Sequence, residues 1–438
     1  MKNNLIYLIY WIPFLLIGFT IGVPQILCGQ TLDSPEIQVL EKRLDSLNQI
    51  KIKIGEQLET QKLSALLKAL ETTGIPSGPA SLAIVKHVAM IFGYDESQEQ
   101  AQWVAHIIHP DVSKGGVSRT NDFREDSLVT TGTAQKADYW NSGYDRGHLA
   151  PSADFRWSRK ALSESYYYSN MSPQKPELNR ESWAMLEDKL RYHVIATGHP
   201  IFVVTGPVIT PGLPRIGPSQ VSVPVYYYKV ALDLQTVPPQ AIGFVMVNGK
   251  NEYPTFSYAV TLDSVEKLTH LDFFPALEDK MEAEVESRFN VEYWKSEKEK
   301  GETEPIPALS LPKGKFNTVQ AKYQIGAKAT ICGTVVDAKY VEKSGNTFMN
   351  LDRRFPNDIF SISVWKTDRV NFSYEPEKLL LNKQICVTGM VRDNNGKASM
   401  SISNEKAISL LDGSSPQVKS ESKSEEEEGD EGDTPNEK

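Results

Sequence analysis

Driving water onto a phosphate ester takes a base, a cation for the charge that grows on phosphate, and a metal or acid for the leaving oxygen. This chain spaces such groups closely. Tyr144 to Pro151 reads Tyr-Asp-Arg-Gly-His-Leu-Ala-Pro, which sets Asp145, Arg146 and His148 around a turn-forming glycine. About twenty residues on come Asn170-Met171-Ser172-Pro173-Gln174, then Asn179, Trp183, Glu187 and Arg191, with Arg119 upstream. Histidine has the unperturbed pKa nearest neutrality, so His148 suits the base that takes a proton from water. Arg146 and Arg191 present planar forks that match phosphate oxygens. Magnesium takes oxygen ligands and keeps several waters, so one amide oxygen from Asn179 suffices to anchor it, where it steadies the leaving 3′ oxygen.

The elements that must hold these groups are legible in outline. Ser182 to His193 predicts a helix with Trp183, Leu186 and Leu190 on one face, and Glu187 and Arg191 as neighbours four apart on the other. Asn179 falls at the helix entrance, a place asparagine favours. It stands eight residues before Glu187, so their Cα atoms are expected about 12 Å apart, which makes shared metal ligation awkward. Taken singly, each residue has a plainer reading. Glu187 and Arg191 form an ordinary surface pair, Asn179 is a helix cap, and His148 is a turn residue. The ordered set favours chemistry. Asn170 is expected to brace the loop beneath the site.

Read in order, these residues resemble the active site of the DNA/RNA non-specific endonuclease family, the ββα-metal nucleases. The resemblance covers roughly residues 80 to 292. Gln102-Trp103-Val104-Ala105 followed by Arg119 is similar to the family's first strand and its upstream phosphate-contacting arginine. Runs at 202–207, 223–230 and 241–247 read as further strands, and Leu268 to Pro275 matches the family's closing segment. The resemblance implies an α+β fold with a central antiparallel sheet, a Mg2+ cofactor with Mn2+ as the alternative, and DNA and RNA as substrates. It also implies 5′-phosphate products, Asn179 as metal ligand, Glu187 holding a metal-bound water, and Asp145 and Asn170 in support. One position departs from the pattern. Glu181 stands two after Asn179, where the family usually has glycine, and a carboxylate there would crowd the substrate or add charge near the metal.

The remaining histidines, at 87, 106, 109, 193, 199 and 270, form no His-Glu-x-x-His type of metal spacing. The net charge of −9 is unexpected for a protein that holds nucleic acid until it is located. Residues 413–438 hold nine acids and three lysines, net −6, and lack core-forming side chains, so they read as a disordered acidic tail. At the other end, Lys2 precedes an uncharged run from Asn3 to Gln30, apolar mainly from Leu5 to Val23. Residues 1–29 therefore read as a signal peptide or an uncleaved membrane anchor, and the body as secreted or periplasmic. Between 34 and 73, near-heptad spacing of Ile37, Leu40, Leu44, Leu47, Ile54 and Leu58, broken by Lys51, fits either a coiled-coil homodimer or a helix packed on its own domain.

Residues 293–317 are charged and rich in Pro and Gly, the composition of a flexible linker. Beyond it, 318–412 holds five strand-like runs with a short helix before the fourth, resembling a small all-β OB-fold barrel. Its 13 Lys+Arg against 10 Asp+Glu, with Phe348, Phe355, Phe360 and Trp365, suits single-strand binding by stacking. Arg353, Arg354 and Lys366 are expected to be exposed and to touch nucleic acid. Cys332 and Cys386 both stand near the starts of strand-like runs, which in antiparallel neighbours lie at opposite ends, so two free buried thiols are expected. The reading that results is an exported, magnesium-dependent endonuclease with an appended OB-like domain. Two alternatives stay open: a nuclease-like binding module whose metal site Glu181 spoils, and a phosphodiesterase for small nucleotides.

Overall fold

A computed structural model of the chain describes residues 34–297, 299–355 and 357–416. The expected signal or anchor at 1–29 and nearly all of the acidic tail lie outside the described residues. Among the described residues no helix is long and apolar enough to cross a membrane. The chain divides into two units, Met1–Thr60 and Gln61–Lys438. In the first, the described part is most of a continuous helix, α1 (Pro35–Ala69), along which Ile37, Leu40, Leu44, Leu47, Ile54 and Leu58 are all exposed.

The second unit is mixed α+β. β1 (Ala83–Lys86), β2 (Met90–Asp95) and β3 (Gln100–Ile108) form a meander. A separate two-stranded ribbon, β4 (Asp145–His148) with β5 (Met171–Gln174), leads into α2 (Trp183–Thr197). β6 (Ile201–Pro207), β7 (Tyr226–Asp233), β8 (Gln240–Val247) and β9 (Ala259–Val260) then extend the meander into an antiparallel seven-stranded sheet ordered β1-β2-β3-β6-β7-β8-β9. Strand side chains alternate between faces, and both faces here are covered. Phe92, Val104, Val203 and Ile242 pack against Trp183, Leu186, Leu190 and Val194 of α2. Ile91, Trp103, Val204 and Val230 face the opposite core, built with Leu262, Val265 and Phe273. The predicted apolar face of α2 is thus the one that seats it on the sheet.

The C-terminal strands β10 (Lys328–Val341), β11 (Asn346–Leu351), β12 (Phe360–Val364), β13 (Gln384–Asn394) and β14 (Lys397–Ser401) hydrogen-bond in a ring: β10-β11-β12-β14-β13 and back to β10. A single apolar core fills it, with Ile331, Met349, Leu351, Phe360, Ile362 and Val387 fully buried.

Three expectations need correcting. Cys332 and Cys386 form a disulfide rather than two free thiols. Only the first half of the 14-residue β10 pairs with β13, Lys328 opposite Met390 through Thr334 opposite Gln384. Cys332 therefore sits near the end of the paired stretch, opposite Cys386, and the rest of β10 turns to pair with β11. Residues 293–317 are not a free linker. Trp294 is buried in the core between the seven-stranded sheet and α2, Ile306 packs by the disulfide, and Lys295 donates to the Glu302 carbonyl. Glu304 accepts from Ser257 on one side and from Arg353 on the other, so charge pairs and two apolar anchors dock the segment despite its polar composition. Arg353 itself is buried, ion-paired to Glu302 and Glu304, and Arg354 is partly buried on Glu302 and the Val336 carbonyl. Of the three expected exposed cations only Lys366 is exposed.

Candidate active site

β4 packs closely against β5 at its glycine. Gly147 faces Ser172 across the ribbon, and a Cβ there would meet the Gln174 side chain at 2.2–2.5 Å. Glycine lets Arg146 and His148 flank that close approach. Asn170 ties the exit of β4 to the chain before β5. Its Oδ1 accepts from the Ala150 N–H at 2.9 Å, and its Nδ2 donates to the carbonyls of Ala150 and Ser165, both 2.9 Å.

Asn179 is not a helix cap. It lies inside a π-helical turn, Leu178–Ser182, that runs directly into α2, with its N–H donating to the Lys175 carbonyl. Such single wide turns re-aim side chains and recur at functional sites. Asn179 Nδ2 donates to Asp145 Oδ2 at 2.9 Å, while Arg180 clamps both oxygens of Asp145 at 2.7 and 2.6 Å. Burial raises the Asp145 carboxyl, but the hydrogen bonds from Arg180 and Asn179 outweigh it and hold the group below the ordinary carboxylate range. An ionised carboxylate only accepts, so the amide of Asn179 must turn its nitrogen to Asp145 and its oxygen away. That oxygen is a hard donor of the kind magnesium takes, so the residues fit a divalent cation.

His148 sits against an aromatic wall. Tyr166 meets its ring edge-on at 5.0 Å between centroids, and Phe123 lies at 5.7 Å. The residue is partly exposed, yet Nε2 itself is covered and has no hydrogen-bond partner among the described residues. Burial first, then the charges of Arg119 and Arg146, lower its pKa to about 3, so the ring is neutral. The Arg146 guanidinium lies over the Phe123 ring at 3.8 Å. Arg119 is exposed and donates from Nε to Asn121.

A cavity of about 420 Å3 gathers Arg119, Arg146, Asp145 and Asn179, and adds Lys136, Arg180, Tyr139, Trp140 and Tyr144. Four cations face one carboxylate in it, which suits a polyanion. Glu181 is exposed and lies outside this lining.

Glu187, Arg191 and His148 are not among the residues that line this cavity. Arg191 donates to Asp154 at 2.7 Å and to Asp188 at 2.6 Å. Burial pushes the Glu187 carboxyl up, against the opposing charges of Lys229 and Arg191. Lys229 is fully buried on β7, with its ammonium on Thr205 Oγ1 at 2.6 Å and 5.1 Å from the Trp183 ring. Sequence reading missed Lys229, although a lone lysine in Tyr226-Tyr227-Tyr228-Lys229-Val230-Ala231-Leu232 is a signal, since a buried charge needs partners. It also missed Asp154 and the cavity residues Lys136, Trp140 and Arg180.

Residues 69–280 match the family described as DNA/RNA non-specific endonuclease. The mitochondrial endonuclease G of Bos taurus is 32% identical over 212 residues, 45% of this chain and 71% of that protein. A nuclease of Nostoc sp. is 30% identical over 235 residues, 49% of this chain and 84% of that protein. The mitochondrial nuclease EXOG of Danio rerio is 30% identical over 247 residues, 52% of this chain and 71% of that protein.

Proposed function

Because the chain belongs to the DNA/RNA non-specific endonuclease family, we propose that it hydrolyses phosphodiester bonds of both DNA and RNA with a divalent cation, Mg2+ foremost. The observation that carries this reading is the hydrogen bond from Asn179 to Asp145, which turns one amide oxygen free beside the strand that bears His148. Asn179 would hold the cation, which would supply Lewis-acid stabilisation to the leaving 3′ oxygen.

His148 is the general base. Its neutral ring can take a proton from the water that attacks phosphorus in line. Arg119 and Arg146 hold the phosphate oxygens. As the phosphate arrives, its charge offsets the two guanidiniums that depress His148, so the base strengthens when substrate is bound. Arg191 and Lys229 supply the opposing charges around half-buried Glu187, and Asp145 orients Asn179. Products carry 5′-phosphates. Plasmid nicking tests this reading: cleavage with Mg2+ and its loss in EDTA are expected, and no cleavage with either Mg2+ or Mn2+ would defeat it.

The barrel we read as OB-like and as a tether for single strands. Phe348 (38% exposed) and Trp365 (43% exposed) form an edge-on pair at 6.2 Å next to exposed Lys366. The uncovered apolar seam of α1 supports a coiled-coil homodimer. Export, with the N-terminal run as signal or anchor, rests on residues 1–29, and cell fractionation of the native protein tests it.

A further inference from the structure

One wall of the cavity carries an aromatic surface that the phosphate chemistry leaves unused. Trp140 is 69% exposed, the most exposed tryptophan among the described residues. Tryptophan is ordinarily drawn into a core, so the turn that keeps this one out is informative. The Trp140 N–H closes onto the Lys136 carbonyl at 3.2 Å. Asn141 (φ 54°) and Gly143 (φ 79°) take left-handed backbone, which asparagine and glycine tolerate best. Ser142 Oγ donates to the Tyr139 carbonyl at 2.9 Å and accepts from the Tyr144 N–H at 3.2 Å. This pinned turn feeds straight into β4 and sets the indole in the same cavity as Arg119 and Arg146. The Lys136 ammonium lies over the indole ring, 5.7 Å from its centroid.

We propose that Trp140 is a stacking subsite for an unpaired nucleobase next to the scissile phosphate. This rests on the nuclease reading above and adds a substrate preference to it. A phosphate on Arg119 and Arg146 brings its attached bases to the cavity wall, and an aromatic plane binds any base through its π face, without regard to sequence. A base within a duplex is already stacked on both sides, whereas an unpaired base can lie flat on the indole. The subsite therefore favours single strands over duplex.

The test uses the full-length protein with Mg2+ and short single-stranded oligodeoxynucleotides in which each base in turn is replaced by an abasic residue, scoring cleavage at one central linkage. Trp140→Ala is expected to lower kcat/KM about tenfold on the intact strand, mainly through KM. In the unsubstituted protein one abasic position next to the scissile linkage should cost a similar factor, and in Trp140→Ala that position should cost nothing. Trp140→Phe should recover most of the loss, and all three proteins should melt together, since the side chain is exposed. Equal abasic penalties with and without Trp140, or a Phe variant no better than Ala, would overturn the subsite alone. Failure of the unsubstituted protein to cleave any strand or a plasmid would instead remove the nuclease reading, and the subsite with it.

Discussion

Arg191 donates to Asp154 Oδ1 at 2.7 Å, and the other oxygen of that carboxylate takes His106 Nε2 at 2.8 Å. Burial raises Asp154, but Arg191 and His106 outweigh it and keep it ionised. Asp154 lies in the Ser152–Phe155 turn just past β4, so this buried pair props the strand that bears His148.

Removing the carboxylate should leave the largely buried Arg191 guanidinium with exposed Asp188 as its remaining ion-pair partner. Asp154→Ala is expected to destabilise the protein by about 3–5 kcal/mol, the usual cost of breaking a buried pair from one side. Urea unfolding measures it. A change under about 1 kcal/mol would mean that Arg191 finds another partner.

At the proposed metal position, Asn179→Ala should weaken activity and move the Mg2+ concentration for half-maximal rate upward. An unchanged magnesium titration would place the ligand elsewhere. Glu181→Gly should not reduce activity, because Glu181 is exposed and outside the cavity lining. A large loss would show that this chain uses that carboxylate.

How pH acts follows from His148. Its pKa is about 3 when folded and about 6.5 when unfolded, so between these values the unfolded chain binds more protons. Stability from this group is fully present above pH 6.5 and falls as pH drops toward 3. In His148→Gln that component is absent. The stability of the unsubstituted protein relative to His148→Gln should thus decline from pH 6.5 downward, measured by denaturant unfolding across pH. A flat difference would show that His148 titrates normally in the fold.

The barrel cations should separate by burial. Lys366→Ala should leave stability unchanged and, if Lys366 contacts one phosphate, reduce the log–log salt slope of single-strand binding by about 0.7. Arg353→Ala should instead destabilise the protein, because Glu302 is buried and loses its ion pair. Fluorescence binding at several salt concentrations with parallel melts decides this. The opposite pattern would make Arg353 the nucleic-acid contact.

Much of this architecture was legible in the residues. Trp183, Leu186 and Leu190 announce the buried face of α2 because helical periodicity is a local signal, and the five barrel strands show in their apolar alternation. The π turn around Asn179 was not legible, since one wide turn leaves the residue pattern of an ordinary helix start. The Cys332–Cys386 disulfide depends on register, which is set by how far β10 runs past its pairing with β13. The docking of residues 293–317 depends on Trp294 and Ile306 finding cores made by distant strands, and composition averages such anchors away. The cavity drew Lys136, Trp140 and Arg180 from outside the motif, because proximity in the fold had no counterpart in spacing.

The proposed general base is the centre of the mechanism, and single-turnover cleavage by His148→Ala tests it most directly. With saturating protein, Mg2+ and one labelled oligonucleotide, the rate should fall by roughly 10²–10⁴, while the affinity for the same strand in EDTA stays within about twofold, since Arg119, Arg146 and Lys136 remain in the cavity. A rate equal to that of the unsubstituted protein would contradict the role given to His148.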